Sequence, residues 1–214
     1  MKFKNNFTIL DPAEDRYVPA MKMSSGKFFK ILDVGCGPKR IKKHISGNVV
    51  YKGVDAKDGE DIIGVDLEKG LLPLKDNEYD SVFCLDVLEH LDNPVPLVKE
   101  ILRVSKNEII ISLPNMYHWM FRLKYLFFGS LPQNIYGFSN SKAIDLDRHK
   151  WVTSYKDSIN FIKENFQGYP VSIGLYIFRH NRFKFMKIID KFMVKFFPAM
   201  FSYTVFFRIN KKYD

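Results

Sequence analysis

The first half of the chain alternates short apolar runs with polar, helix-like stretches, and the apolar runs stop at glycine or acidic residues. Such alternation predicts βαβ units on a parallel sheet. Phe28 to Val34, stopped by Gly35, reads as a buried first strand, and Val49 to Val54, stopped by Asp55, as a second. Ile62 to Val65 reads as a short third strand, and Ser81 to Leu85, introduced by the turn-like Lys75 to Glu78, as a fourth. Asn93 to Val104 places Val95, Leu97, Val98, Ile101 and Leu102 at helical spacing, with Pro94 and Pro96 in the first turn where proline is tolerated. Glu108 to Leu113, stopped by Pro114, completes this half as a fifth strand.

Beyond Pro114 the pattern changes. Met116 to Phe128 is aromatic-rich with helical spacing, whereas Gly129 to Lys150 mixes Pro, Gly, Asn and Ser. The stretch from Pro114 to Lys150 therefore reads as an insertion that covers a substrate. Ser154 to Asn165 follows as an amphipathic helix, then a strand at Val171 to Phe178 and a last strand at Tyr203 to Ile209. Between those strands, Phe183 to Phe197 sets Phe185, Ile188, Ile189, Phe192, Met193 and Phe196 among four lysines. That is a basic amphipathic helix, suited either to core packing or to a membrane interface.

At 214 residues and 46% hydrophobic, the chain fits one domain with a continuous core. The first twenty residues lack an apolar core and contain Asp11, Glu14, Asp15 and Arg16, unlike a secretory signal. The longest uncharged apolar stretches, Ile109 to Phe121 and Phe196 to Phe207, fall short of the ~20 residues that cross a bilayer. Two cysteines outside any paired motif and five scattered histidines suit a reducing cytoplasm and imply no metal. The net charge of +9 is uneven: residues 1 to 110 hold 17 basic and 18 acidic side chains, and residues 111 to 214 hold 16 and 6. The second half thus carries +10, which suits anionic lipid headgroups, a phosphorylated or lipid-linked glycan, or nucleic acid.

The first strand runs into Asp33, Val34, Gly35, Cys36, Gly37 and Pro38, where paired glycines permit a tight turn close to a ligand. A dinucleotide fingerprint needs a third glycine, but Arg40 stands there. A carboxylate at Asp33 would also repel a pyrophosphate, whereas S-adenosylmethionine (SAM) presents an ammonium and a sulfonium. Asp55, 20 residues beyond Gly35, is placed to accept hydrogen bonds from ribose hydroxyls. Asp66 could meet an adenine amino group, with Leu67 against the ring.

With these residues in order, LDVGCG (Leu32 to Gly37), GVD ending at Asp55 and YDSVFCLDVLEHLDNP (Tyr79 to Pro94) resemble class I SAM-dependent methyltransferases of the "methyltransferase domain 11 or 23" type. The resemblance runs from about Lys27 to Asn115 and extends more weakly to HKWVTSYKDSINFI and the final strand. It implies an α/β, Rossmann-like, seven-stranded and mostly parallel sheet with helices on both faces and a C-terminal antiparallel hairpin. It also implies cofactor roles for Asp33, Gly35, Gly37, Asp55, Asp66, Leu67 and Leu85, with Cys36, Ala56 and Asp86 beside them. Many relatives have glycine where Lys39 stands, so the loop after Pro38 is expected to differ.

Methyl transfer from a sulfonium asks mainly for alignment and exclusion of water, and a hydroxyl acceptor adds a need for a base. His90, His118 and His149 are the candidates for that base. By analogy with small methyltransferases that have a basic, aromatic tail, the expected acceptor is a sugar hydroxyl in a surface glycan or lipid-linked saccharide. A small metabolite, a lipid or RNA are alternatives within enzymes, and a SAM-binding partner protein without transfer activity is the alternative outside them. Contact with the inner face of the membrane is a further expectation from the basic half.

Overall fold

The protein was analysed as a computed structural model that describes residues 3–13, 15–130, 148–179 and 184–212. Eight strands, β1 (Phe3–Leu10), β2 (Lys30–Val34), β3 (Val50–Asp55), β4 (Ile62–Gly64), β5 (Tyr79–Leu85), β6 (Ser105–Pro114), β7 (Val171–Tyr176) and β8 (Thr204–Asn210), form one sheet. Their order is β1-β7-β8-β6-β5-β2-β3-β4. All pairings are parallel except those of β8, which runs antiparallel to β6 and β7. The α-helices are α1 (Tyr17–Met23), α2 (Val95–Val104), α3 (Trp119–Phe128), α4 (Tyr155–Asn165), α5 (Lys184–Met193) and α6 (Pro198–Phe201).

The central strands are continuous apolar runs because both their faces are covered. Alternate side chains go to opposite faces. Leu32, Val34, Val82, Cys84, Ile109 and Ile111 join Leu97, Val98 and Ile101 of α2 and Ile162 of α4 in one core cluster. Their neighbours Ile31, Phe83, Leu85 and Ile110 join Tyr17, Ala20 and Met23 of α1 in the other. The doubly covered, mostly parallel sheet is thus the expected α/β architecture, and the five strands predicted in the first half are present.

The strand count differs from expectation, and two expected features take definite form. The sheet has eight strands rather than seven, because Phe3–Leu10 adds a parallel edge strand against β7. The segment FKNNFTIL lacks the apolar continuity that marks the central strands, so its pairing partner reveals it rather than its pattern. After the glycine turn the chain makes only a short 3₁₀ turn, Arg40–His44, entered through Lys39 at φ 55°. That left-handed conformation is natural to glycine and explains why glycine suits this position. Finally, β7 and β8 are the expected antiparallel C-terminal pair, with α5 and α6 between them in sequence.

The basic amphipathic helix is α5, and its orientation is the reverse of a core helix. Phe185, Ile188, Ile189 and Phe192 are exposed, whereas Asp190 is buried and accepts a hydrogen bond from Trp119 Nε1 at 3.1 Å. Leu123, Tyr125, Leu126, Phe127 and Phe128 of α3 are exposed as well. Trp119, Leu123, Met186 and Ile189 line a common cleft, so these helices adjoin. Of the expected insertion, residues 131–147 lie outside the described residues.

Helix α4 starts at a reciprocal cap: Asp157 N–H donates to Ser154 Oγ at 3.1 Å, and Ser154 N–H donates to Asp157 Oδ2 at 3.1 Å. Replacing Ser154 by alanine is expected to cost about 1 kcal/mol, read as a lower urea midpoint with unchanged slope.

Candidate cofactor and acceptor site

Strands β5, β2, β3 and β4 are consecutive neighbours in the sheet, so the turns at their C-terminal ends share one edge. The register is level there: Val34 pairs with Val54 and with Cys84, and Asp55 with Gly64. Parallel sheets bind ligands at such an edge. The edge gathers Asp33, Gly35, Cys36 and Gly37 at the end of β2, Asp55 and Ala56 at the end of β3, Asp66 and Leu67 after β4, and Leu85 and Asp86 at the end of β5.

The turn after β2 is welded to β3. Gly35 N–H and Cys36 N–H both donate to Val54 O, at 2.8 and 3.2 Å, and Gly37 N–H donates to Asp55 Oδ2 at 2.7 Å. Ala56 N–H donates to the other Asp55 oxygen at 2.7 Å. Gly35 has φ +67°, and any side chain on it would run into Val87. A Cβ on Gly53 would lie 2.6 Å from Cys36 Sγ. The turn therefore has its shape for steric reasons, and its amides are engaged within the protein. What the edge offers a ligand is carboxylate.

Asp33 is buried, and Tyr51 Oη donates to its Oδ2 at 3.3 Å. Burial pushes its carboxyl up from 3.8 to about 7, with Asp55 adding to the rise and Tyr51 and Arg16 opposing it. Asp86 sits at φ 52° and accepts from Ser112 Oγ at 2.5 Å and from Arg16 Nη1 at 3.1 Å. Asp66 accepts from Glu68 N–H at 3.1 Å as the cap of a short 3₁₀ turn beginning at Leu67.

On the β5 and β6 side lies a cavity of about 430 Å³ whose lining includes Leu88, Glu89, Trp151, Asp157, Phe161 and Glu164. Residues 148–151 dock here on the 3₁₀ turn Leu88–His90. Lys150 N–H and Trp151 N–H both donate to Glu89 O, at 2.9 and 3.3 Å, and Trp151 Nε1 donates to Leu91 O at 2.8 Å. That docking brings together two of the three histidines singled out in the sequence: the His90 and His149 rings are 4.7 Å apart, edge to face. His118 stands elsewhere, buried among Trp119, Phe121, Phe178 and Tyr203, where its Nδ1 caps α3 by accepting from Met120 N–H at 3.4 Å.

Residues 20–144 match the family model described as "MetW: Methionine biosynthesis protein MetW", more than half of the chain. The chain belongs to the MetW family. A curated relative, the bifunctional methionine biosynthesis protein MetXA/MetW of Rhodopirellula baltica, is 36% identical over 122 residues, 48% of this chain. The match spans only 19% of that relative's length. Among solved structures, a SAM-dependent methyltransferase from Thermotoga maritima superposes with a TM-score of 0.59 at 14% identity, over 92% of this chain and 88% of that one. Another from Archaeoglobus fulgidus gives 0.54 at 18% identity, over 92% and 90%. The chain thus shares the fold of these SAM-dependent methyltransferases, the fold implied by the resemblance on LDVGCG, GVD and YDSVFCLDVLEHLDNP.

Sequence reasoning missed Arg16, Tyr17, Tyr51 and Glu89 in this MetW chain. Arg16 and Tyr17 precede the first recognisable motif, and only the packing of α1 carries their charge and ring to Asp33 and Asp86. Cys36 has its thiol pushed up to about 11 by burial, with Asp33 and Asp55 adding to the shift, so it is a poor nucleophile.

Because the fold raises the Asp33 carboxyl, the folded chain holds a proton that the unfolded chain releases. Its contribution therefore declines as pH rises from about 4 through about 7. Asp33→Asn should flatten that part of the profile of melting temperature against pH; an unchanged slope between pH 5 and 8 would contradict the burial argument.

Proposed function

We propose that the chain binds SAM over the C-terminal edge of β5, β2, β3 and β4 and transfers its methyl group to a sugar hydroxyl, in a surface glycan or lipid-linked saccharide. One observation carries the reading: the edge brings together Asp55, Asp86 and the buried Asp33, while the amides of the glycine turn are committed to Val54 and Asp55. Such an edge suits a cationic nucleoside and not a phosphate. The bound group supplies a methyl on positively charged sulfur. Asp33 would face the ammonium, Asp55 would accept from the ribose hydroxyls, Asp66 from the adenine amino group, and Leu67 would pack on the ring. Arg16, shared between Asp86 and Asp33, is the cation at hand for the methionyl carboxylate.

The cavity beside Glu89 suits the acceptor. Trp151 and Phe161 offer faces to the C–H side of a sugar, and Glu89, Asp157 and Glu164 can accept from its hydroxyls. Three carboxylates in that lining disfavour an RNA backbone. In the transfer, the acceptor oxygen bonds to the methyl carbon as the carbon–sulfur bond breaks, its electron pair staying on sulfur. The hydroxyl proton would leave toward Glu89, which lines the cavity and has His90 and His149 beside it.

The fused relative favours a second reading, in which the chain serves as the SAM-binding partner of a MetXA-like protein. The exposed apolar side chains of α3 and α5 support contact with the inner membrane surface as well, since patches of this kind mark interaction sites. Among the described residues no helix is long and apolar enough to cross a membrane, so this contact would be peripheral.

Calorimetry with SAM should give one site per chain in the wild type and none in Asp55→Ala, with the fold kept. Incubation with labelled methyl donor and fractionated extract should then label lipid-linked sugar. Label in RNA would overturn the acceptor, and no label in any fraction would favour the partner reading. Liposome flotation at low salt should carry the protein with anionic vesicles, an interaction that Phe192→Asp and Ile188→Asp should weaken at least about tenfold.

A further inference from the structure

We propose that Glu89, His90 and His149 form a binding site for one divalent transition-metal ion of the zinc, iron or manganese kind. The sequence implied no metal because its histidines are scattered, but the tertiary fold joins a histidine and a carboxylate after β5 to a histidine 59 residues further on. One Glu89 oxygen and one ring nitrogen from each histidine lie within 4.8 Å of one another. Metal bonds of about 2.0–2.2 Å place neighbouring ligand atoms about 3.0–3.5 Å apart, so small side-chain rotations close the set.

Two further features mark a built site. His90 Nδ1 lies 3.1 Å from Arg148 O, and since a carbonyl can only accept, Nδ1 is the donor, which in the neutral ring leaves the lone pair on Nε2. Metal-binding histidines are held in this way, by donating the other ring N–H to a carbonyl or carboxylate. The backbone on which the ligands sit is also fastened without them. Besides the bonds from Lys150 and Trp151 to Glu89 O, the Lys150 ammonium bridges Glu68 and Asp92. Two imidazoles and one carboxylate suit first-row transition metals better than magnesium or calcium, which prefer all-oxygen sets. Three protein ligands leave coordination positions open, and Glu89 borders the acceptor cavity.

The purpose of the ion rests on the methyl-transfer reading, although its binding does not. An acceptor hydroxyl held on the ion would lose its proton to water more readily, leaving oxygen its electron pair for the bond to the methyl carbon.

Full-length protein, stripped with chelator, would be titrated with Co²⁺ and followed by visible absorbance, with Zn²⁺ competition in calorimetry. One ion per chain is expected at micromolar affinity or tighter. His149→Ala, His90→Ala and Glu89→Gln should each weaken it at least about tenfold, with His44→Ala unchanged. Circular dichroism checks each fold, and the partly exposed His149 serves if Glu89→Gln does not fold. No Co²⁺ uptake up to about 1 mM, or uptake indifferent to the histidine changes, would overturn the proposal. S-adenosylhomocysteine binding, measured on the same samples, separates the two readings: nucleoside binding without metal uptake removes only the ion, and the converse removes only the methyl donor.

Discussion

The Val54 carbonyl takes two amides from the turn after β2, and the Asp55 carboxylate takes a third. Much of the sheet's C-terminal edge follows from this junction. It forces Gly35 into a left-handed conformation against Val87, and it brings Cys36 so close to β3 that position 53 has no room for a side chain. It also uses up the donors that would otherwise recommend the turn to a phosphate. The remaining chemistry is that of carboxylates held close together, one of them buried deeply enough to keep its proton near neutrality.

The cavity beside Glu89 obeys a different constraint. Trp151, Val152 and Thr153 line part of it, and the Lys150 and Trp151 amides fasten this segment to the Leu88–His90 turn by donating to Glu89 O. Backbone docking is indifferent to side-chain identity, and it brings Glu89, His90 and His149 together without itself using their side chains. His118 shows the contrast: one ring nitrogen caps a helix and its faces are packed by aromatic rings.

The helices α3 and α5 place apolar residues on the outside while burying Asp190 against Trp119. Helical periodicity identified α5 correctly but could not say which way its apolar face would turn, since a moment has a direction relative to the helix and not to the protein.

The sequence by itself determined the parallel sheet, the positions of the central strands and of α2 and α4, and the acids and glycines at the sheet's C-terminal edge. Strand runs, helical spacing and turn glycines are local signals, and local signals survive in one dimension. Tertiary structure alone decided the rest. The edge strand Phe3–Leu10 is defined by its partner β7, Arg16 reaches Asp86 only through the packing of α1, and His90 meets His149 across 59 residues of chain. Burial likewise sets the Asp33 carboxyl, because desolvation depends on everything that surrounds a group and not on its neighbours in sequence.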